Sequence, residues 1–267
     1  MIRRYTIRID MCLIKGGIMR KFKETFVCLV LCILFIMAFD YESAGQENAT
    51  YIVKRTTEKI YPDGNFSERD WKEAMLIEPF VFPWYEEGTQ DQTSVRILWD
   101  DEYLYFLFHC KDEHISAHHY QRNSGTCLDD CAEIFISPNL EKPLWYANYE
   151  INCLGTWLLG FNRGFKEPRD KEPDGLVIGR SHVGTINNEE DVDSNWILEI
   201  AIPFDHFSGF GGQSPPRDED VWGLNLNRCG GDINSQYSQW EPSKTPKPNF
   251  HRPQDFGKII FSSTLVR

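Results

Sequence analysis

Hydrophobic and polar residues alternate most clearly along residues 93–110, TSVRILWDDEYLYFLFHC, where two apolar-rich stretches flank the acidic turn Asp100-Asp101-Glu102. Val95, Ile97 and Trp99 share one face of the first stretch, and Tyr103, Tyr105 and Leu107 share one face of the second. That period of two predicts a β-hairpin. The opposite faces are not polar, because Leu98, Leu104, Phe106 and Phe108 also need cover. Both strands are therefore expected inside a larger sheet packed on a second layer.

The same period recurs downstream. Residues 128–138 form an acidic turn, Asp129-Asp130, leading into a strand closed by Pro138. Along residues 146–154, Tyr149, Ile151 and Cys153 fall on one face and Glu150, Asn152 and Leu154 on the other. Further strands are predicted at 155–159, 176–186, 196–203, 221–227 and 256–261, with short edge strands at 51–54 and 59–61. Ser67 is expected to cap a single helical turn that points Trp71 and Ala74 inward. Pro83 confines the aromatic run 80–85 to an edge or loop, and the Gly-, Pro- and charge-rich residues 161–175 read as a long surface loop. About ten strands with almost no helical periodicity predict an all-β fold, one antiparallel β-sandwich spanning residues 45–267.

Residues 1–44 have a different character. The basic start Met19-Arg20-Lys21-Phe22-Lys23 precedes a charge-free run of 14 residues, 26–39, which suits the core of a signal peptide better than a membrane span. Met19 is a candidate true start, and removal is expected near Ala44 or Gly45. The protein is thus expected in the periplasm or outside the cell, with a membrane attachment only if the segment stays uncleaved. Before Ala44 lie seven Lys/Arg and four Asp/Glu, so the remaining 21 basic and 36 acidic residues leave a net charge of −15, against −12 for the whole chain. Nucleic acid is a poor partner for that charge. The exported chain keeps Cys110, Cys127, Cys131, Cys153 and Cys229, an odd number without a CxxC pair, so no disulfide scaffold is indicated, although export permits one oxidised pair. His114, His118 and His119 have spacing that would suit a metal on a helix, but no partner ligand is fixed and a solvated loop is the simpler reading.

The ordered set Asp63-Gly64 with Trp71, VRILWDDEYLYF, DDCAEIFI, YEINCLGTW, WILEIAIPF, WGLNLNR and FHRPQDFGKIIF resembles the family 9 carbohydrate-binding modules, closest to the stand-alone exported family 9-like proteins of gut-type Bacteroidetes. The resemblance covers residues 51–262. It implies a jelly-roll-like sandwich, binding of sugars or oligosaccharide ends, often a structural calcium ion, and association with polysaccharide-degrading enzymes. Carried over residue by residue, it assigns hydroxyl-binding positions to Glu133, Glu150, Asn152 and Asn227. Carboxylates and amides are suited to vicinal hydroxyls. The chain departs from the family where two tryptophans sandwich the sugar: Cys127 stands at the first and Phe250 at the second. Glu150 stands where the family usually places arginine. Trp240 in the late loop, with Trp84, Tyr85 and Trp145 elsewhere, could supply a replacement aromatic face. The candidate carbohydrate site is therefore Glu133, Glu150, Asn152, Asn227, Trp240 and Phe250. Calcium is expected at acidic turns such as Asp129-Asp130.

Two other functions fit fragments of the sequence. A glycoside hydrolase needs a carboxylate pair, yet no pair is singled out and no GxSxG-like or HExxH-like motif is present. A haem-binding sandwich of the cytochrome type holds iron between Met and His, and Met75 is the only methionine left after export. Non-catalytic sugar binding accounts for more of the motifs.

Overall fold

In the computed structural model the hairpin is formed by β3 (Thr93–Trp99) and β4 (Tyr103–Lys111), with Val95 opposite Phe108 and Trp99 opposite Leu104. The turn is held by Asp100, whose carboxylate accepts the Glu102 and Tyr103 backbone N–H groups at 2.7 and 2.8 Å and the Tyr105 hydroxyl at 2.6 Å. The structure describes residues 48–164 and 174–267. The expected signal segment, and most of the expected loop 161–175, lie outside the described residues.

Around the hairpin the chain adds β1 (Thr50–Arg55), β2 (Leu76–Ile77), β5 (Cys131–Ser137), β6 (Tyr146–Asn152), β7 (Trp157–Asn162), β8 (Val177–Val183), β9 (Asn195–Pro203), β10 (Val221–Cys229), β11 (Tyr237–Gln239) and β12 (Gly257–Leu265). They form one curled sheet in the order β7-β6-β5-β10-β12-β1-β3-β4-β9-β8, with β2 on β3 and β11 on β10. Its two halves face each other: Ile134, Ile136, Tyr149, Ile151, Leu224 and Leu226 from one share a buried cluster with Val95, Ile97, Phe106, Phe108, Leu198 and Ile200 from the other. This is the expected sandwich, with one correction. The sheet is mixed, because β1 runs parallel to both β12 and β3. Alternation reports which way side chains point, not which way a strand runs. A parallel neighbour needs a long crossover, which residues 56–92 supply.

That crossover also covers one outer face. Ile60, Trp71 and Ala74 pack on Leu98, Tyr105, Leu107, Ile197 and Ala201. The helical turn α1 (Arg69–Glu73) starts at Glu68 rather than Ser67, with no side-chain cap. Residues 59–61, expected as an edge strand, are irregular and place Ile60 in this cluster instead. Glu199 fastens the cover: it accepts the Trp71 indole N–H at 2.8 Å and the Asp63 and Gly64 backbone N–H groups at 3.0 and 2.7 Å. Gly64 has φ +85°, and a Cβ there would lie 2.4 Å from the Arg180 backbone, so the turn requires glycine. The outer face of β5, β6 and β10 is covered instead by a later segment, with Phe250 and Phe256 packed on Cys131, Phe135, Tyr146 and Cys229.

Candidate functional site

On β5 the alternation sends Ala132, Ile134 and Ile136 into the core, which leaves Cys131, Glu133 and Phe135 outside. β6 sends Ala147, Tyr149 and Ile151 inward, leaving Tyr146, Asn148, Glu150 and Asn152 outside. β10 buries Trp222, Leu224 and Leu226 inward and presents Asn225, Asn227 and Cys229 on the other face. Register then aligns Asn227, Glu133 and Glu150 in a row across three neighbouring strands. Neighbours on one face of an antiparallel pair lie about 4.5–5.5 Å apart at Cβ, so the two glutamates are direct neighbours.

The segment after β11 arches over this row. It brings in Phe250, whose ring lies 5.9 Å from Trp84 and 6.0 Å from Tyr237, centroid to centroid. Between arch and sheet is a cavity of about 270 Å³ floored by Glu133, Glu150 and Cys229 and walled by Cys127, Tyr237 and Phe250, with His251 at its edge. A second cavity of about 640 Å³ adjoins it, sharing Tyr237 and Pro248 and continuing past Trp84, Tyr85, Glu86 and Glu87.

The floor is chemically unusual. Glu133 and Glu150 are only 2% and 6% exposed. Burial, and secondarily the Glu150 charge, push the Glu133 carboxyl well above the ordinary range. The Cys229 thiol donates to Glu133 Oε1 at 3.4 Å and the Asn148 amide to Glu150 Oε1 at 2.8 Å. Burial, then Glu150 and Glu133, raise the Cys127 thiol to about 11. To one side, Tyr146 and His251 meet through the Tyr146 hydroxyl and Nδ1 at 2.9 Å.

The six candidate residues divide. Glu133, Glu150 and Phe250 line the cavity. Asn227 stands beside Glu133 but is fully buried: its Oδ1 accepts from Gln239 at 2.9 Å, and its Nδ2 has no partner. Asn152 is engaged by the protein, donating to Asp129 at 2.7 Å and to the His119 carbonyl at 2.9 Å while accepting from Leu154 and Thr156. Trp240 is not in the lining; it packs on the main core, its ring against Gly257. The sequence reading did not single out Cys229, Tyr237 or His251. Cys229 was accessible to it, since it lies two residues beyond Asn227 on the same strand face, whereas Tyr237 and His251 arrive through the arch, whose path has no sequence period.

The acidic turn is occupied by protein donors. Asp129 accepts from the His118 and His119 backbone and from Asn152, and Asp130 from Ser116 and Gly231. Neither carboxylate has the free oxygens that a hard cation needs, and among the described residues no group of three or more His, Cys, Asp or Glu could hold a metal ion. His119 pairs with Asp129 and His118 with Asp232, each at 2.9 Å. Met75 lies between α1 and β2, outside the cavity lining.

A curled sandwich with an aromatic-walled, carboxyl-floored cavity on one outer sheet face defines a carbohydrate-binding class of β-sandwich. Residues 73–261 match the model of Carbohydrate-binding family 9, and the chain belongs to that family. Solved structures agree on the fold. A candidate carbohydrate-binding protein from Bacteroides uniformis superposes with a TM-score of 0.67 at 21% identity, over 81% of this chain and 100% of the other. A family 9 module from Caldicellulosiruptor kristjanssonii, solved with cellotriose, gives 0.55 at 15% identity over 80% and 94%. The same organism's module solved with glucose gives 0.53 at 15% over 79% and 96%. No curated protein matches the sequence.

Proposed function

We propose that the chain binds the end of a sugar chain in the Glu133–Glu150 cavity, does not cleave it, and serves as an exported partner of separate polysaccharide-degrading enzymes. The observation that carries this reading is the pairing of two nearly buried carboxyl groups with the aromatic wall of Phe250 and Tyr237 in a cavity of about 270 Å³. That volume is at the small end for ligand sites and suits one sugar ring. Carboxyl oxygens address its hydroxyls, and the flat rings address its C–H face. The adjoining cavity along Trp84 and Tyr85 gives later rings of the chain a path outward.

Binding without hydrolysis is supported by membership of a carbohydrate-binding family. The basic start and the 14-residue apolar run support export. A stabilising calcium ion belongs to the same reading, with ligands other than Asp129 and Asp130. A melting temperature unchanged by calcium or chelator removes it.

Structural relatives hold cellotriose and glucose, so β-glucan ends are the first probes within a glycan array. Calorimetric titration of the best ligand is expected to show millimolar to micromolar affinity, about −4 to −8 kcal/mol. Glu133→Gln and Phe250→Ala, shown to melt as folded proteins, are expected to weaken it by about 1–3 kcal/mol. Unchanged binding in both places the sugar elsewhere. Product release from the same glycans, abolished by Glu133→Gln, overturns the non-catalytic reading.

A further inference from the structure

Two thiols stand opposite each other under the arch. Register pairs Cys229 of β10 with Cys131 of β5, the last rung of that antiparallel ladder. Both side chains lie on the outer face, where they share one buried cluster with Phe135, Tyr146, Phe250 and Phe256. Directly opposite residues have Cα atoms about 4.5 or 5.5 Å apart, according to the kind of rung, and either value lies inside the span of about 4.4–6.8 Å that a disulfide bridges. Electrostatics report the same closeness: after burial and Glu133, the Cys229 thiol is the next cause holding Cys131 above the ordinary thiol range.

The other three cysteines among the described residues are placed differently. Cys110 faces the core, and its register partners are Thr93 and Trp196. Cys153 also faces the core, one residue beyond β6. Cys127 lies on the short turn Thr126–Leu128, outside any ladder, although it lines the same cavity as Cys229.

We propose that Cys131 and Cys229 are a cross-strand disulfide pair, closed by a disulfide donor of an oxidising compartment as β5 and β10 come together, with Cys127 left as a free thiol. The inference takes from the reading above only the exported setting, in which disulfides form and persist. One thiolate attacks the donor's S–S bond, releasing one donor thiol and leaving a mixed disulfide. The second thiolate then displaces the other donor thiol and forms the Cys131–Cys229 bond. The pair loses two electrons and two protons, and the donor disulfide gains both and ends as two thiols.

Timing follows from burial. In the finished fold both thiols are buried and held well above their ordinary range, chiefly by that burial, so little thiolate exists and exchange is slow. The pair therefore closes during folding, before Phe250 and Phe256 cover it, and once closed is shielded from reductant. Closure also alters the cavity floor. The Cys229 thiol donates to Glu133 Oε1 at 3.4 Å, and the new bond removes that proton, leaving the oxygen as an acceptor for the cavity.

The test uses residues 48–267, a compact unit by itself, unfolded with reductant and refolded either in mixed oxidised and reduced glutathione or in reduced glutathione alone. With free thiols blocked, non-reducing peptide mapping of the first sample is expected to show Cys131 linked to Cys229, and Cys110, Cys127 and Cys153 blocked. The linked parent is expected to melt about 5–15 °C above the reduced parent, and Cys131→Ala and Cys229→Ala to show no such difference between the two refolding conditions. All five thiols blocked after oxidative refolding, or a link through any other cysteine, overturns the inference and leaves sugar binding standing. A 131–229 link that leaves melting unchanged or lower overturns it as a native pair. Should an alanine variant fail to fold, the peptide map and the two melting temperatures of the parent decide.

Discussion

Trp71 donates its indole N–H to the Glu199 carboxylate at 2.8 Å across 128 residues of sequence. That bond joins the crossover following β1 to the face of β9. Glu199 also holds the Asp63 and Gly64 backbone, so a single acid fixes the turn and the helical cover together. Trp71→Ala empties a site that is 1% exposed and is expected to cost about 3–5 kcal/mol. Glu199→Gln replaces one acceptor oxygen with a donor opposite existing donors and is expected to cost about 1–3 kcal/mol. Urea unfolding measures both. Sugar affinity of the folded fraction should be unchanged, because the cover and the cavity occupy different halves of the sheet.

The carboxyl pair makes stability depend on pH in a direction that can be derived. Burial raises Glu133 above 4.5 in the folded state, so the fold favours the protonated acid. The stability this contributes is complete below about pH 4.5 and is lost as pH rises through the folded value. Glu133→Gln resembles the protonated acid at every pH. It is expected to melt higher than the parent near neutral pH, with the gain vanishing toward pH 4. A variant that melts lower than the parent at pH 7 would show that ionised Glu133 is stabilised by its surroundings.

Particular residues show how far the sequence reaches. Alternation was enough to put Glu150 and Asn152 on one face of their strand, because a strand's period is two, whereas Glu133, Glu150 and Asn227 were brought together by the family resemblance and are aligned by strand register. It could not say that Asn152 would turn its amide to Asp129, since that contact depends on how residues 118–130 fold back. Nor could it show that β1 is parallel to its neighbours, because direction leaves no mark on the hydrophobic pattern. Trp240 was a plausible stacking ring by composition and distance along the chain, yet its neighbour in space is Gly257 of β12.

Arg228 continues the inward face of β10 although it is charged. It follows Leu224 and Leu226 on the core side, is fully buried, and pairs with Asp112 at 2.8 Å while donating to the Asp91 and Lys111 carbonyls. Asp112 is held in turn by the Trp196 indole N–H at 2.9 Å. Removing one member leaves a buried charge alone, so Arg228→Met is expected to destabilise the fold by about 3–5 kcal/mol. Arg228→Lys is not conservative here, because one ammonium cannot span two carbonyls and a carboxylate in the guanidinium geometry. Denaturant midpoints of the two variants check this. Parent-like values for Arg228→Met would show that the network contributes nothing net.

Cys127 is the cysteine through which the cavity can be probed. Cys110, Cys131, Cys153 and Cys229 are buried, whereas Cys127 is partly exposed and lines the cavity wall. Its thiol is raised to about 11 by burial and by the two glutamates, so little thiolate exists at neutral pH and alkylation should be slow. Each unit of pH below 11 lowers the thiolate fraction about tenfold. Treatment of the described domain, residues 48–267, with iodoacetamide at pH 8, read by intact mass and peptide mapping, is expected to add one label, at Cys127, more slowly than for a free cysteine. Glu150→Gln removes a nearby negative charge and should speed that labelling. A sugar seated in the cavity should slow it further, giving a binding assay independent of heat. Rapid labelling of Cys131 or Cys229 in the folded protein would show that the arch over β5 and β10 opens readily. Cys127 labelling indifferent to a saturating sugar would place that sugar outside the cavity.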